Sequence, residues 1–409
     1  MTTMQASNGI ASPVSVGGRD TSGSTADGRP RPDESGPAVP PQAGQQSDTG
    51  SRPGLNLDLL LQEMARINAS DLHLVVERPP MLRRNGTLFP MAEMDVLWPV
   101  DTESLFLALT DSGERLAELW QRKDLDFAYE VPGLGRFRCN AYIQQGTVSV
   151  TMRRIHARVP DFEELGLPSV CVDLSTKKKG LILVTGPVNS GKSTTMAAMI
   201  EHINQTSSRR IITIEDPIEY VYSRGKSLIT QRELGPDVPT FAQGLRAALR
   251  QDPDVILVGE LRDAETAAAC LTAAETGHLV MSTLHTPNSP QAIDRLVDVF
   301  PAEQQLLVRS RLASLLEGVL YQMLVPSKDG DRRLVAVEIM LGSPAVRSLI
   351  REGKTHQLPI TIHTSRSAGM QTMDQALVDL YRGGTISEQD VLLRCLDPDE
   401  IKRQLGLVI

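Results

Sequence analysis

The chain has 409 residues, 41% of them hydrophobic, and a formal net charge of -8. That length suits two or three domains, and the acidic balance argues against direct nucleic-acid binding through overall charge. Four scattered cysteines without a C-x-x-C pair argue against a cysteine-based zinc site, no apolar run approaches the ~20 residues of a bilayer span, and the first residues lack the basic and apolar regions of a secretory signal.

The expected location is therefore cytoplasmic, with attachment to a membrane only through partners. Residues 1–54 are rich in Gly, Ser, Pro, Thr and Gln and poor in large apolar side chains. Such a segment cannot offset its ordering entropy by burial, so it reads as a disordered tail. Leu57–Ile67 carries apolar residues at helical spacing, and Asp71–Val76 alternates like a strand. The Asn-Gly step in Arg83–Thr87 predicts a hairpin, and Phe137–Gln144 and Thr147–Arg153 predict two more strands. Residues 55–156 thus read as a small α+β domain. The stretch 157–180, with Pro160, Pro168 and the lysines Lys177–Lys179, reads as a linker, its lysine run as a solvated loop.

Residues 181–409 read as a second, α/β domain. Its strand candidates are Leu181–Thr185, Ile211–Ile214, Val255–Val258 and Leu279–Thr283, each short and apolar, as strands covered on both faces are. Asp263–Glu275 reads as an Ala-rich helix with Asp263 in N-cap position and Gly277 past its end. The alternation predicts a parallel sheet. Beyond Pro301 the pattern is mainly helical, with Val335–Met340 as one further strand.

Between the first strand and the helix-compatible run Thr194–Ile203 lies Gly186-Pro187-Val188-Asn189-Ser190-Gly191-Lys192-Ser193, with the spacing G-x-x-x-x-G-K-[ST] of a phosphate-binding P-loop. Glycines let the backbone amides converge on phosphate oxygens, and the following helix points its positive end at the same anion. Gly186, Pro187, Asn189, Ser190, Gly191, Lys192, Ser193 and Thr194 form the expected ATP cradle. Lys192 would reach the β- and γ-phosphates, and Ser193 would place its hydroxyl on Mg²⁺.

Three clusters follow at strand ends, where open parallel sheets bind ligands. Glu215-Asp216-Pro217-Ile218-Glu219 offers carboxylates that could hold Mg²⁺ through water or orient the attacking water; an acidic surface loop is the plainer alternative. Asp254–Glu260 resembles a Walker B strand with Gly259 in place of the usual metal-binding Asp, which makes Glu260 the leading catalytic candidate and Glu215 the runner-up. His278 and His285 flank the last strand candidate, seven residues apart and so on opposite faces, which argues against a shared metal. His285 is expected to sense the γ-phosphate; His278 is equally well read as a satisfied structural side chain. Among the arginines Arg136, Arg138, Arg153, Arg154, Arg246, Arg250 and Arg262, forked guanidinium contacts to phosphate are expected foremost from Arg136 and Arg153.

Together GPVNSGKSTT, IITIEDPIEY, ALRQDPDVILVGELRD and TAAETGHLVMSTLHT resemble, in order, the P-loop, Asp box, Walker B box and His box of the secretion ATPase superfamily, the motors of type II secretion and type IV pili. The resemblance runs over roughly residues 55–400. It implies a PAS-like domain, starting with ASDLHL at Ala69–Leu74, ahead of a RecA-like ATPase domain. The pattern is most similar to the PilT and PilU retraction motors: Ala345–Glu352 (AVRSLIRE) resembles their AIRNLIRE motif, with Ser348 in place of Asn, and Gly369–Asp374 is also similar. The resemblance implies a homohexameric, Mg²⁺-dependent ATP hydrolase that retracts pili in twitching motility. It further implies an inner-membrane platform protein as partner and a possible paralogous motor. A type IVB secretion or conjugation ATPase, a poorly hydrolysing accessory ring subunit and a nucleic-acid translocase stay as alternatives. Val188-Asn189 departs from the common Thr-Gly of the loop, although Asn tolerates left-handed backbone.

Overall fold

The computed structural model describes residues 55–84, 86–110, 112–155 and 158–406. The tail read over 1–54 and Asn85 of the hairpin lie outside them.

The chain enters through α1 (Leu57–Arg66), whose N-cap Asn56 accepts a hydrogen bond from the Asp58 amide. Leu57, Leu60, Leu61 and Met64 make the buried stripe expected of their spacing. There follow β1 (Asp71–Leu74), β2 (Met81–Arg84), β3 (Thr87–Pro90), α2 (Pro99–Thr110), α3 (Gly113–Arg122), β4 (Asp124–Val131), β5 (Gly135–Gln144) and β6 (Thr147–Arg154). The strands form an antiparallel sheet in the order β3-β2-β1-β6-β5-β4, and the hairpin closes with Arg84 opposite Thr87. This is the PAS-like α+β region. Sequence reading missed α2, α3 and β4. In β4 only Leu125 is buried and the other inward positions are partly exposed, so the contrast that marks a strand is weak.

The second region begins with α4 (Val170–Ser175) and β7 (Gly180–Thr185) and continues with α5 (Lys192–Thr206), β8 (Arg210–Glu215), β9 (Leu228–Glu233), α6 (Phe241–Ala248) and β10 (Val255–Val258). Next come α7 (Ala264–Glu275), β11 (Leu279–Leu284), α8 (Ser289–Asp298), α9 (Ala302–Leu315), β12 (Leu316–Pro326) and β13 (Arg333–Leu341). The helices α10 (Pro344–Arg351), α11 (Leu358–Thr364), α12 (Met373–Arg382), α13 (Glu388–Arg394) and α14 (Pro398–Leu405) complete it. The sheet order is β13-β12-β7-β11-β10-β8-β9, parallel except for β13. Thr185 pairs with Leu284, Val258 with Ser282 and with Ile214. The C-terminal ends of β7, β11, β10 and β8 therefore share one rim. Every residue of β7, β10 and β11 is buried, as continuous apolar strands between helical layers must be.

One reading is corrected, and one missed strand is added. The stretch 157–180 is not a bare linker: it carries α4, and Leu167, Cys171 and Leu174 are buried in one cluster with Ile182, Val184 and Met199. Those apolar residues are spaced for one short turn of helix, too short for periodicity to reveal. After Pro301 the chain is mainly helical, as expected, and β13 covers the strand expected at Val335–Met340; β12 is the element that sequence reading missed. The long strand β12 inserts beside β7, and β13 pairs with β12 as a hairpin. The run LEGVLYQMLV is apolar on both faces, so its sequence does not separate a buried strand from a buried helix.

Candidate active site

The P-loop leaves the rim at Thr185. Gly186 has φ +145, and a Cβ there would run into the Gln322 carbonyl of β12 and lie 2.7 Å from Ser190 Oγ. Asn189, at φ +63, takes the left-handed geometry that Asn tolerates, and Gly191, at φ +90, is the N-cap of α5 without a side-chain cap. The first amides of α5 thus keep their donors for an external acceptor.

The Lys192 ammonium lies inside this arc, donating to the carbonyls of Gly186 (2.9 Å) and Pro187 (2.8 Å). Burial lowers its pKa, while Glu260 and Glu219 act in the opposite direction. Its third contact is His285 Nδ1, at 3.4 Å. The far ring nitrogen, Nε2, is 3.4 Å from Glu260 Oε1, and Glu260 Oε2 accepts from Arg262 Nε at 2.8 Å. An ammonium can only donate, so this arrangement assigns Nδ1 as acceptor and the ring proton to Nε2, facing the carboxylate. Lys192, His285, Glu260 and Arg262 therefore form one chain of polar contacts along the rim.

Glu215 ends β8 and belongs to the same rim, but its Oε1 accepts from Thr213 Oγ1 (2.6 Å) and from Gln231 Nε2 on β9 (3.2 Å). Burial pushes its carboxyl from the ordinary 4.5 up to about 7, against the opposing effect of those two hydrogen bonds. Gly259 packs beside it: a Cβ there would stand 3.5 Å from Glu215 Cα. The Thr194 hydroxyl meets Tyr220 Oη at 2.9 Å and joins α5 to the segment after β8. Ser193 Oγ makes no hydrogen bond among the described residues, and Ser190 Oγ is buried without a partner. Among the described residues no group of three or more His, Cys, Asp or Glu could hold a metal.

Other candidates lie elsewhere. His278 Nδ1 contacts the Ala273 carbonyl at 2.9 Å and Thr276 Oγ1 at 3.0 Å, the satisfied structural reading. Arg153 pairs at 2.7 Å with the buried Asp71 across β6 and β1, and Arg136 lies 3.7 Å from Glu233 at the end of β9. Neither contacts residues 186–194 among the described residues. Sequence reading missed Gln322, whose Nε2 donates to Thr195 Oγ1 at 2.8 Å beneath the loop. Its signal was there: one amide inside an apolar run.

A family profile described as Type II/IV secretion system protein matches residues 136–357. The chain belongs to this family. It is 44% identical over 351 residues to the "Type IV pilus retractation ATPase PilT" of Pseudomonas aeruginosa, a match covering 84% of this chain and 99% of that protein. The "Type IV pilus ATPase PilU" of the same organism is 37% identical over 353 residues, covering 86% of this chain and 92% of that one. A crystal structure of the pilus retraction motor PilT with bound ADP superposes with a TM-score of 0.79 at 44% identity, covering 85% of this chain and 99% of that one. The four motifs of the family stand on the shared rim or run directly into it, and the expected PilT-like α/β architecture is the one observed.

Proposed function

We propose that this chain is the subunit of an ATP-hydrolysing motor that drives retraction of type IV pili. The observation that carries the proposal is the polar chain from Lys192 through His285 to Glu260 on the rim of a PilT-like sheet. A nucleotide's phosphates fit the residues present: the uncapped start of α5, the unpartnered Ser190 Oγ and the Lys192 ammonium all offer donors to an oxyanion. Among the described residues there is no carboxylate cage, and Ser193 Oγ would be the protein ligand of a Mg²⁺ that enters with the nucleotide. Bound there, the ion offsets phosphate charge.

The chain's own residues then divide the chemistry. Lys192 exchanges its carbonyl partners for phosphate oxygens. Glu260 takes up the proton of the attacking water, and Arg262 holds the carboxylate in place. His285, in contact with both Lys192 and Glu260, reports the state of the terminal phosphate to the base. Glu215 positions the segment after β8 through Thr213 and Gln231 and, once ionised, can face the hydrated metal. Arg136 and Arg153 reach phosphate only if the small region, residues 55–156, moves relative to the ATPase region, residues 181–409. That movement is the closure by which hydrolysis becomes mechanical work. A homohexamer supplies further arginines in trans, and an inner-membrane platform protein receives the motion. Among the described residues no helix is long and apolar enough to cross a membrane.

The test is steady-state ATPase activity of the purified chain together with pilus number and twitching in a deletion strain. Excess pili without motility support retraction. Normal pilus number and motility in the deletion strain would overturn it.

A further inference from the structure

At the end of the large sheet opposite the P-loop, where β8 and β9 begin, an open cleft of about 480 Å³ is lined by Arg209, Arg210, Lys226, Leu228, Gln251 and Asp252, among others. None of its three cations forms an ion pair among the described residues. Arg209 donates to the carbonyls of Lys177 (2.8 Å) and Thr176 (3.2 Å). Arg210 donates to Thr230 Oγ1 (2.8 Å) and the Leu228 carbonyl (3.2 Å). These acceptors carry no charge, so both guanidinium groups are held in place with their full charge and with further N–H donors to spare. Lys226 is exposed, and its ammonium makes no hydrogen bond or ion pair among the described residues. The nearby Asp254 carboxylate accepts from the Arg210 amide at 2.7 Å and keeps its charge, and Asp252 lies in the lining itself, so three cations stand beside two carboxylates.

The same contacts of Arg209 tie the loop bearing Lys177–Lys179 to this cleft. Lys177 is paired with Glu317, but Lys178 and Lys179 are exposed and unpaired. Arg209, Arg210 and Lys226 thus bring three cations into one open cleft, on a protein whose net charge is -8. Leu228, 66% exposed, gives the cleft an apolar wall beside the cations.

We propose that this cleft is a second anion site, taking a soluble phosphate-bearing small molecule with at least two charged groups, distinct from the nucleotide at the P-loop. Two pre-positioned guanidinium forks and a free ammonium suit paired oxyanions. The cleft is open, and the phosphate headgroups of a bilayer share this chemistry, so the test separates the two sources.

The experiment is calorimetric titration of the full chain with tripolyphosphate while saturating ADP holds the P-loop, with vesicles of phosphatidylglycerol as a parallel arm. One additional binding event is expected, weakened about tenfold by Lys226→Glu and less by Lys226→Gln. It should also weaken as salt is raised. ADP affinity and melting temperature of both variants should match the parent, which separates loss of the site from loss of the fold. Absence of the additional event, unchanged affinity in Lys226→Glu, or binding to vesicles without binding to tripolyphosphate would each overturn the proposal.

Discussion

His285 Nε2 lies 3.4 Å from Glu260 Oε1, at the ends of neighbouring strands β11 and β10. The other ring nitrogen faces Lys192, which follows β7 on the opposite side of β11. The strand order places the histidine between the P-loop lysine and the carboxylate. One imidazole therefore touches both the P-loop lysine and the carboxylate proposed as base, and under the proposed function it would couple phosphate binding to preparation of the water.

Replacing His285 with Ala should lower kcat about 10²-fold or more while ADP affinity changes little, because the contact acts on the base rather than on bound product. Steady-state ATPase rates beside ADP titration check this. Equal loss in kcat and in ADP affinity would make the residue part of the binding surface alone.

Glu260→Gln should still bind ATP, with turnover reduced by a similar factor, since the amide keeps the shape and loses the base. Lys192→Ala should lose both binding and turnover with its melting temperature close to the parent's. A Glu260→Gln variant turning over at the parental rate would remove Glu260 from the mechanism.

Gly186→Ala introduces a Cβ against the Gln322 carbonyl at a φ of +145, a conformation L side chains avoid. The loop must shift, at a strain of about 1–3 kcal/mol, and its amides lose their convergence. Nucleotide affinity should fall at least tenfold, with a lower melting temperature. Calorimetry and thermal unfolding read the two effects, and parental values for both would refute the packing argument.

Glu215 gives stability a pH dependence of definite sign. Its folded pKa of about 7 lies above the ordinary 4.5, so between these values the folded state binds more protons than the unfolded one. Its contribution is most favourable below about pH 4.5, declines as pH rises through the window, and is at its lowest above about pH 7. The difference is on the order of 1–3 kcal/mol. Glu215→Gln should remove this slope, so that the variant gains on the parent as pH goes from 5 to 8. Denaturant titrations at both pH values measure it; parallel curves would mean Glu215 titrates normally.

Arg347, in the retraction-like motif on α10, is a clamp. It donates to the carbonyls of Gly342 (2.6 Å), Ala313 (3.0 Å) and Ser314, and to Glu317 (3.0 Å), so it ties α10 to the junction of α9 with β12. Arg347→Lys cannot reproduce a fork with four acceptors. It should cost about 2–3 kcal/mol and lower the melting temperature by several degrees. An unchanged melting temperature would show that the motif acts only through partners.

The amino-acid sequence by itself determined the P-loop and the class of fold. Loop geometry at Gly186, Asn189 and Gly191 is a local backbone requirement, and short apolar strands followed by helices specify a parallel sheet whatever their order. Only the tertiary structure decided which side chains meet. The order β7-β11-β10-β8 sets His285 between Lys192 and Glu260 and turns Glu215 toward Gln231, residues that no spacing along the chain relates. The insertion of β12, the helix α4 within 157–180 and the gathering of Arg209, Arg210 and Lys226 were equally invisible in the chain. Each depends on pairing or packing between distant segments, where a continuous apolar run or a lone cation carries no information about its neighbour.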